Sequence, residues 1–275
     1  MKSVIITGSS KGIGLGMALE FLKNGCAVMV SSRRQADVDA AVQSFSQQFG
    51  ADKVAGLTCD VTDIKQVQSL WDDAAAKFGK VDIWINNAGA VHTTLPVWEV
   101  DPQEIKTVIN TNIVGHLFGV QVSMKGMLKQ GFGQIYNFYG FGSNDDKKPG
   151  GLGVYGTTKR AIRYLTELLV EEVKDTPIQV GSLMPGTVIT ELMVKTISTM
   201  PAHEREMLRK SFNIVGDKVE TVALFLVEEI LKNNKNGAVI NWMTEEKFKA
   251  RLQDPYYQTR DLFSELKLDV KSLSH

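Results

Sequence analysis

Thr7-Gly8-Ser9-Ser10-Lys11-Gly12-Ile13-Gly14 stands directly behind the β-branched run Val4-Ile5-Ile6 and directly before the helical pattern Leu15 to Lys23. A short apolar run, a glycine turn and a helix make the first strand, a tight connection and the first crossover. Such a turn bares backbone amides at the start of a helix, where the helix dipole favours negative charge, so it can cradle a pyrophosphate. Gly8, Ser10, Lys11, Gly12, Ile13 and Gly14 are therefore candidate cofactor-binding residues. Glycine in a tight strand-to-helix connection also serves structure alone; the strand before it, the helix after it and the TGxxxGxG spacing favour the dinucleotide.

The same alternation runs on from this turn. Gly25 ends the first helix before the strand Ala27-Val28-Met29-Val30, Ala36 to Phe49 reads as a helix, and Val54 to Leu57 as a strand. Asp63, three residues before Gln66, starts a helix whose apolar positions Val67, Leu70 and Ala74 keep helical spacing, and Gly79 closes it before the strand Val81 to Asn86. A long helical pattern, Pro102 to Lys129, leads past Gly133 to a strand at Gln134 to Phe138 and a helix from about Val154 to Lys174. Ile178 to Leu183 and Ala238 to Trp242 add two strands around the helix Val219 to Leu231. This rhythm predicts an α/β fold: a doubly wound parallel sheet, Rossmann-like, in three α/β/α layers. No repeat, low-complexity tract or Pro/Ser linker divides it, so one domain over 1–245 is expected, followed by a charged helical extension over 246–275.

Two stretches break the rhythm. Asn144 to Gly153 is polar and glycine-rich with Pro149, a loop ahead of the last long helix. Thr187 to Asn213 carries Met193, Met200 and Met207 among mixed residues, which suits a mobile lid over an apolar substrate or, equally, an ordinary surface helix pair.

Composition excludes several classes. The chain has 275 residues, 43% hydrophobic and 23% charged, near the average for water-soluble globular proteins. Lys plus Arg and Asp plus Glu both number 31, so no surplus of positive charge exists to hold a nucleic acid by counterion release. Cys26 and Cys59 lack CxxC spacing and a nearby His pair, which reads as packed thiols in a reducing compartment and no metal site. The sequence enters its first strand without a charged leader and has no apolar run of membrane-spanning length, so a cytoplasmic protein without a membrane partner is expected.

Two constellations carry chemistry. Sites that prefer NAD place an acidic residue near the end of the second strand, whereas this chain has Ser31-Ser32-Arg33-Arg34 there. Two guanidiniums suit a 2′-phosphate, Lys11 can add a third cation, and NADPH over NADH is expected; a solvated helix start is the plainer alternative. Tyr155 and Lys159 lie four residues apart on one helix, so their side chains rise from one face about 6 Å apart. A phenol ionises near pH 10, and drawing it to about 7 takes roughly 4 kcal/mol, which an adjacent ammonium and a cationic nicotinamide can supply in a dry site. On most helices such a pair is a surface contact.

Several motifs in order remove that ambiguity. Thr7 to Gly14, Asp60-Val61, Asn86-Asn87-Ala88-Gly89, Asn112 in Asn112-Ile113-Val114-Gly115, Tyr155-Gly-Thr-Thr-Lys159, and Pro185-Gly186 with Thr190 together resemble the short-chain dehydrogenase/reductase family over residues 2–245. The resemblance implies a cofactor site that also takes in Asp60, Val61, Asn87, Ala88, Gly89, Tyr155, Lys159, Pro185, Gly186 and Thr190, and a catalytic set of Tyr155, Lys159, Asn112 and a serine. One departure stands out. The family's NxSS is here Asn137-Phe138-Tyr139-Gly140, with Gly140 at the motif position; Ser143, twelve residues before Tyr155, is assigned to hold the carbonyl oxygen. The stretch Asn137 to Ser143, together with Phe212-Asn213 and Gly237 to Asn241, is similar to the chlorophyll b reductase branch, whose enzymes reduce a ring formyl group to hydroxymethyl.

The expected activity is NADPH-dependent reduction of an aldehyde or ketone, with Tyr155 as proton donor and a formyl-bearing, tetrapyrrole-like molecule as one substrate class. Lys159 holds the nicotinamide ribose, and Asn112 holds a proton-relay water. The alternatives are an NAD(P)-dependent secondary alcohol dehydrogenase and a non-catalytic NADPH sensor. A homodimer or homotetramer is the family habit. His92, just past Asn-Asn-Ala-Gly, is a further candidate for substrate contact, whereas His116, His203 and His275 have no ligand-like company, and the four Trp residues read as core or interface.

Overall fold

In the computed structural model the residues described are 1–144, 150–190, 193–194, 197 and 202–265. Strands buried on both faces read as continuous apolar runs, and that is how the sheet is built. Val4 and Ile6, Val28 and Val30, and Ile83 and Ile85 face one core, while Ile5, Met29 and Trp84 face the other. The chain order is β1 (Ser3–Ile6), α1 (Gly12–Lys23), β2 (Ala27–Ser32), α2 (Gln35–Phe49), β3 (Val54–Thr58), α3 (Ile64–Phe78) and β4 (Ile83–Asn86). Then come α4 (Pro102–Ile109), a π turn (Asn110–Val114), α5 (Gly115–Gln130), β5 (Gly133–Phe138), α6 (Gly153–Glu172), β6 (Ile178–Met184) and β7 (Thr187–Val188). The order closes with α7 (Ala202–Val215), β8 (Gly216–Asp217), α8 (Val219–Lys232), β9 (Val239–Asn241), α9 (Glu245–Gln253), α10 (Pro255–Thr259) and α11 (Leu262–Glu265).

Seven strands form one sheet in the order β3-β2-β1-β4-β5-β6-β9, every neighbouring pair parallel. Side chains of α1, α2 and α8 fill one face and those of α3, α5 and α6 the other, so the expected three-layer doubly wound fold is the observed one. The order reverses between β1 and β4, which opens a crevice at their carboxyl ends. The turn Thr7 to Gly14 and the segment Asn87 to Gly89 sit at that crevice.

Local signals behave as read. The Asp63 carboxylate accepts from the Lys65 amide at 2.9 Å, and Gly79 ends α3 in the left-handed conformation. The expected single helix from Pro102 to Lys129 differs, being interrupted by the π turn. The Asn112 side chain in that turn bonds the Ala90 backbone and Thr158, which fixes the helix to two neighbours at one point.

Of the expected lid over 187–213, residues 187–190, 193–194, 197 and 202–213 are described, with β7 paired in parallel with β8 and most of helix α7 among them; residues 191–192, 195–196 and 198–201, Met200 among them, lie outside the described residues. So do 145–149 of the loop before Tyr155 and 266–275 of the extension. The described part of the extension carries α9, α10 and α11. Trp84 is fully buried beside Trp71, and Trp242 packs on Phe225, whereas Trp98 is 84% exposed. No helix among the described residues is long and apolar enough to cross a membrane.

Candidate active site

The crevice floor is welded from both of its strands. The Thr7 hydroxyl accepts from the amides of Asn87 at 3.0 Å and Ala88 at 3.1 Å, and Asn87 Nδ2 donates to the carbonyls of Thr7 at 2.8 Å and Gly8 at 3.0 Å. Ser9 ties the turn to β2 by donating to the Ile6 carbonyl and accepting the Ser31 amide. A Cβ on Gly14 would lie 2.5 Å from Asn87 Nδ2, so only glycine allows this approach. Thr7 and Ser9 are site residues that sequence reasoning passed over, because a hydroxyl in a glycine turn looks like solvent-facing polarity until its partners are seen.

Helix α1 begins at Gly12 with Lys11 at its N-cap, no side chain capping it and no acidic residue in its first turn. Uncapped amides in a glycine cradle fit a pyrophosphate. Thr190 closes the same cradle from above, its Cγ2 3.4 Å from where a Gly12 Cβ would be. Gly186, with φ 67°, turns the chain beside Trp242 and Met243. Past β2, Arg34 pairs with Asp37 at 2.6 Å, while Arg33 is exposed and makes no ion pair among the described residues. The Asp60 carboxylate accepts from the amide and hydroxyl of Thr62, and Val61 is buried under Gly115. These residues suit a dinucleotide.

Tyr155 and Lys159 rise from α6 as the spacing requires. Lys159 Nζ lies 5.7 Å from the Tyr155 ring centroid and donates to the Phe138 carbonyl at 3.1 Å. Burial pushes the Lys159 ammonium down to about 8 and the Tyr155 phenol up to about 12. The pull toward 7 expected from an adjacent ammonium together with a cationic nicotinamide is thus opposed by burial. Asn112 is fully buried and its side chain is saturated, accepting from the Ala90 amide at 2.7 Å and donating to the Ala90 carbonyl and to Thr158 Oγ1. Thr158 thus links Asn112 to the helix that carries Tyr155.

Ser143 is brought to the site differently from the expectation. Its buried hydroxyl accepts from the Gly140 amide at 3.0 Å and donates to the Lys159 carbonyl at 3.4 Å, and it makes no hydrogen bond to Tyr155 among the described residues. The atom that meets Tyr155 is Gly140: a Cβ there would lie 2.7 Å from Tyr155 Oη and 3.2 Å from Lys159 Cε. Gly142, with φ 93°, makes the loop possible by bringing its Cα against Gly156.

His116 is a further residue missed. One turn beyond Asn112, it is 2% exposed, and the Asn86 carbonyl faces one ring nitrogen while Nε2 has no hydrogen-bond partner among the described residues. Burial first, then the Lys159 charge, pushes its pKa down to about 3, so the ring is neutral. The i, i+4 relation to Asn112 was the available signal. His92 is buried, with Nδ1 2.7 Å from the Thr93 carbonyl. His275 and the His203 side chain lie outside the described part, and no group of three metal-ligating side chains exists among the described residues. Both cysteines are free and buried.

A family model described as short chain dehydrogenase matches residues 2–201. Chlorophyll(ide) b reductase NOL, chloroplastic, of Arabidopsis thaliana is 36% identical over 244 residues, 86% of this chain and 67% of that protein. The protein of the same description from Oryza sativa subsp. japonica is 36% identical over 235 residues, covering 83% and 66%. The chain thus spans about two thirds of the length of these relatives. A crystal structure of levodione reductase superposes with a TM-score of 0.80 at 21% identity, over 90% of this chain and 97% of that one, a likeness of fold. The structure of ElxO with NADP bound gives a TM-score of 0.74 at 29% identity, over 87% and 96%.

Proposed function

Since the chain belongs to the short chain dehydrogenase family of oxidoreductases, we propose that it reduces an aldehyde or ketone to an alcohol with NADPH, Tyr155 giving the proton. The observation that carries this reading is the meeting of Tyr155 Oη, Lys159 and the bare backbone of Gly140 at one point. Burial raises the pKa of the Tyr155 phenol, so the side chain carries the proton that a reduction consumes.

When bound, NADPH supplies the hydride to the carbonyl carbon. Gly8, Ser10, Gly12, Ile13 and Gly14 would hold its pyrophosphate, Arg33 its 2′-phosphate with Lys11 and Arg34 nearby, and Asp60 and Val61 its adenine. Asn87, Ala88, Gly89, Pro185, Gly186 and Thr190 would line its nicotinamide end. The Lys159 ammonium would hold the ribose. As the carbonyl π pair moves onto oxygen, Tyr155 Oη releases its proton to that oxygen, and the charge left on the phenol is offset by Lys159. Asn112 anchors Ala90 and Thr158 and so fixes the helix that presents the donor. Ser143 braces Gly140, and the substrate oxygen then meets a single hydroxyl.

The plant relatives favour a formyl group on a tetrapyrrole as the substrate class. The exposed apolar side chains Leu117 and Leu128 on α5 and Tyr164 and Leu168 on α6 favour a homo-oligomer, and the two free thiols favour a reducing compartment such as the cytoplasm. The test is NADPH oxidation against aldehydes, ketones and formyl-bearing tetrapyrroles, with Tyr155→Phe alongside. Turnover that is lost in the variant while NADPH still binds supports the reading; turnover retained by the variant, or none with any carbonyl, overturns it.

A further inference from the structure

The segment that carries Thr190 over the cradle is held from behind. Just before Thr190, the Ile189 amide donates to the Asp217 carbonyl at 3.0 Å, and β7 pairs Val188 with Asp217. Whatever places Asp217 therefore places Thr190. The Asp217 carboxylate is buried, and three groups from beyond the sheet converge on it. Trp242 Nε1 donates to it at 2.6 Å, Arg251 Nη2 lies 2.8 Å from Oδ2 and 3.1 Å from Oδ1, and Arg260 Nη1 lies 4.0 Å away.

One carboxylate facing two buried guanidiniums leaves a surplus positive charge, and the backbone supplies the balance. Arg251 also donates to the Ile214 carbonyl, and Arg260 to the carbonyls of Asn213 and Gly216, at and just past the negative end of α7. The Tyr257 ring lies 4.5 Å from each guanidinium carbon. Below this cluster, Leu262 and Phe263 of the extension join Ile189, Val194 and Ile197 in a small apolar core, with Met193 and Phe212 packed against it.

We propose that Asp217, Arg251 and Arg260 are positioning residues, through which the extension past β9 sets the wall carrying Thr190 against the Gly12 turn and thereby the affinity of the cleft for NADPH and carbonyl. The clamp rests on the cofactor reading above. It touches the reaction only through the position of that wall, so its loss shows in binding before it shows in chemistry.

The experiment uses the full chain with Asp217→Asn, Arg251→Met and, as the conservative control, Arg251→Lys; Leu262→Ala reaches the same wall through the apolar core if the charge variants fail to fold. NADPH affinity is read by fluorescence titration, KM and kcat for the best carbonyl by initial rates, and folding by circular dichroism. Expected are NADPH Kd and carbonyl KM raised on the order of tenfold with kcat within about threefold, and partial recovery in Arg251→Lys. Folded variants whose Kd and KM match the parent, even with a lowered Tm, overturn the clamp, as does a fall in kcat at unchanged KM. A parent that binds no NADPH sinks the cofactor reading before any variant is made.

Discussion

Adding a side chain at Gly140 separates two accounts of the site by the sign of the effect. In the family pattern this position carries the serine that polarises the carbonyl, so Gly140→Ser would return a missing donor, and one such donor is worth about 10²–10³ in kcat. In this chain the space is already taken. The Cβ of either Gly140→Ser or Gly140→Ala lies 2.7 Å from Tyr155 Oη, closer than real Cβ contacts allow, and 3.2 Å from Lys159 Cε. The lysine stem can swing aside; the tyrosine ring, rigid beyond two torsions, must carry its hydroxyl back by roughly half an ångström. A misplacement of about 1 Å costs on the order of 10²-fold, so half of that predicts a loss of about tenfold, or about 1.4 kcal/mol of transition-state stabilisation.

Initial rates of carbonyl reduction under saturating NADPH measure this directly, with cofactor affinity as a control on folding. Both variants should lose about tenfold in kcat while NADPH binding holds, and serine should fare no better than alanine. A Gly140→Ser enzyme as fast as the parent or faster would refute the crowding argument and return the oxyanion role to this position.

Arg33→Ala should weaken NADPH by a clearly larger factor than NADH, since Arg34 is engaged by Asp37; equal losses in paired titrations would remove the 2′-phosphate from its role. The rate at limiting NADPH should fall as pH rises through about 8, where Lys159 loses its charge, and a profile flat to pH 10 would contradict that. The same depressed pKa makes the fold gain stability between about 8 and the ordinary lysine value of 10.5, because there the unfolded chain binds the extra proton. His116 works on the acid side: neutral when folded and basic when unfolded, it should cost at most about 1.4 kcal/mol per pH unit as pH falls from 6.5 to about 3. His116→Leu should flatten that limb in denaturant titrations, and an unchanged slope would rule the residue out.

The sheet was legible because its strands are buried on both faces, which leaves β-branched runs such as Val4-Ile5-Ile6 that little else explains. The cofactor turn was legible because backbone geometry forces glycine at fixed places. What stayed hidden depends on partners distant in sequence. Asp217 reads as a lone acid until Arg251 and Arg260 arrive from 34 and 43 positions along the chain. Ser143 has the right spacing for a catalytic hydroxyl, and only the fold shows it spent on Gly140 and Lys159. The depth of burial at Tyr155 stayed hidden for the same reason: spacing reports the amine four residues on, and the upward pull of desolvation on the phenol comes from the surrounding fold.

The burial of Tyr155 bears on mechanism. A phenol held near 12 by its dry surroundings keeps its proton until negative charge grows on an oxygen within reach. On the function proposed above, with Ser143 bonded to Gly140 and Lys159, Tyr155 alone among the described residues serves that oxygen, so little besides the donor's own proton stabilises the growing charge. A site of this kind would lose less on a carbonyl that is electrophilic to begin with, so the proposed function predicts faster turnover of aldehydes, a ring formyl group among them, than of ketones.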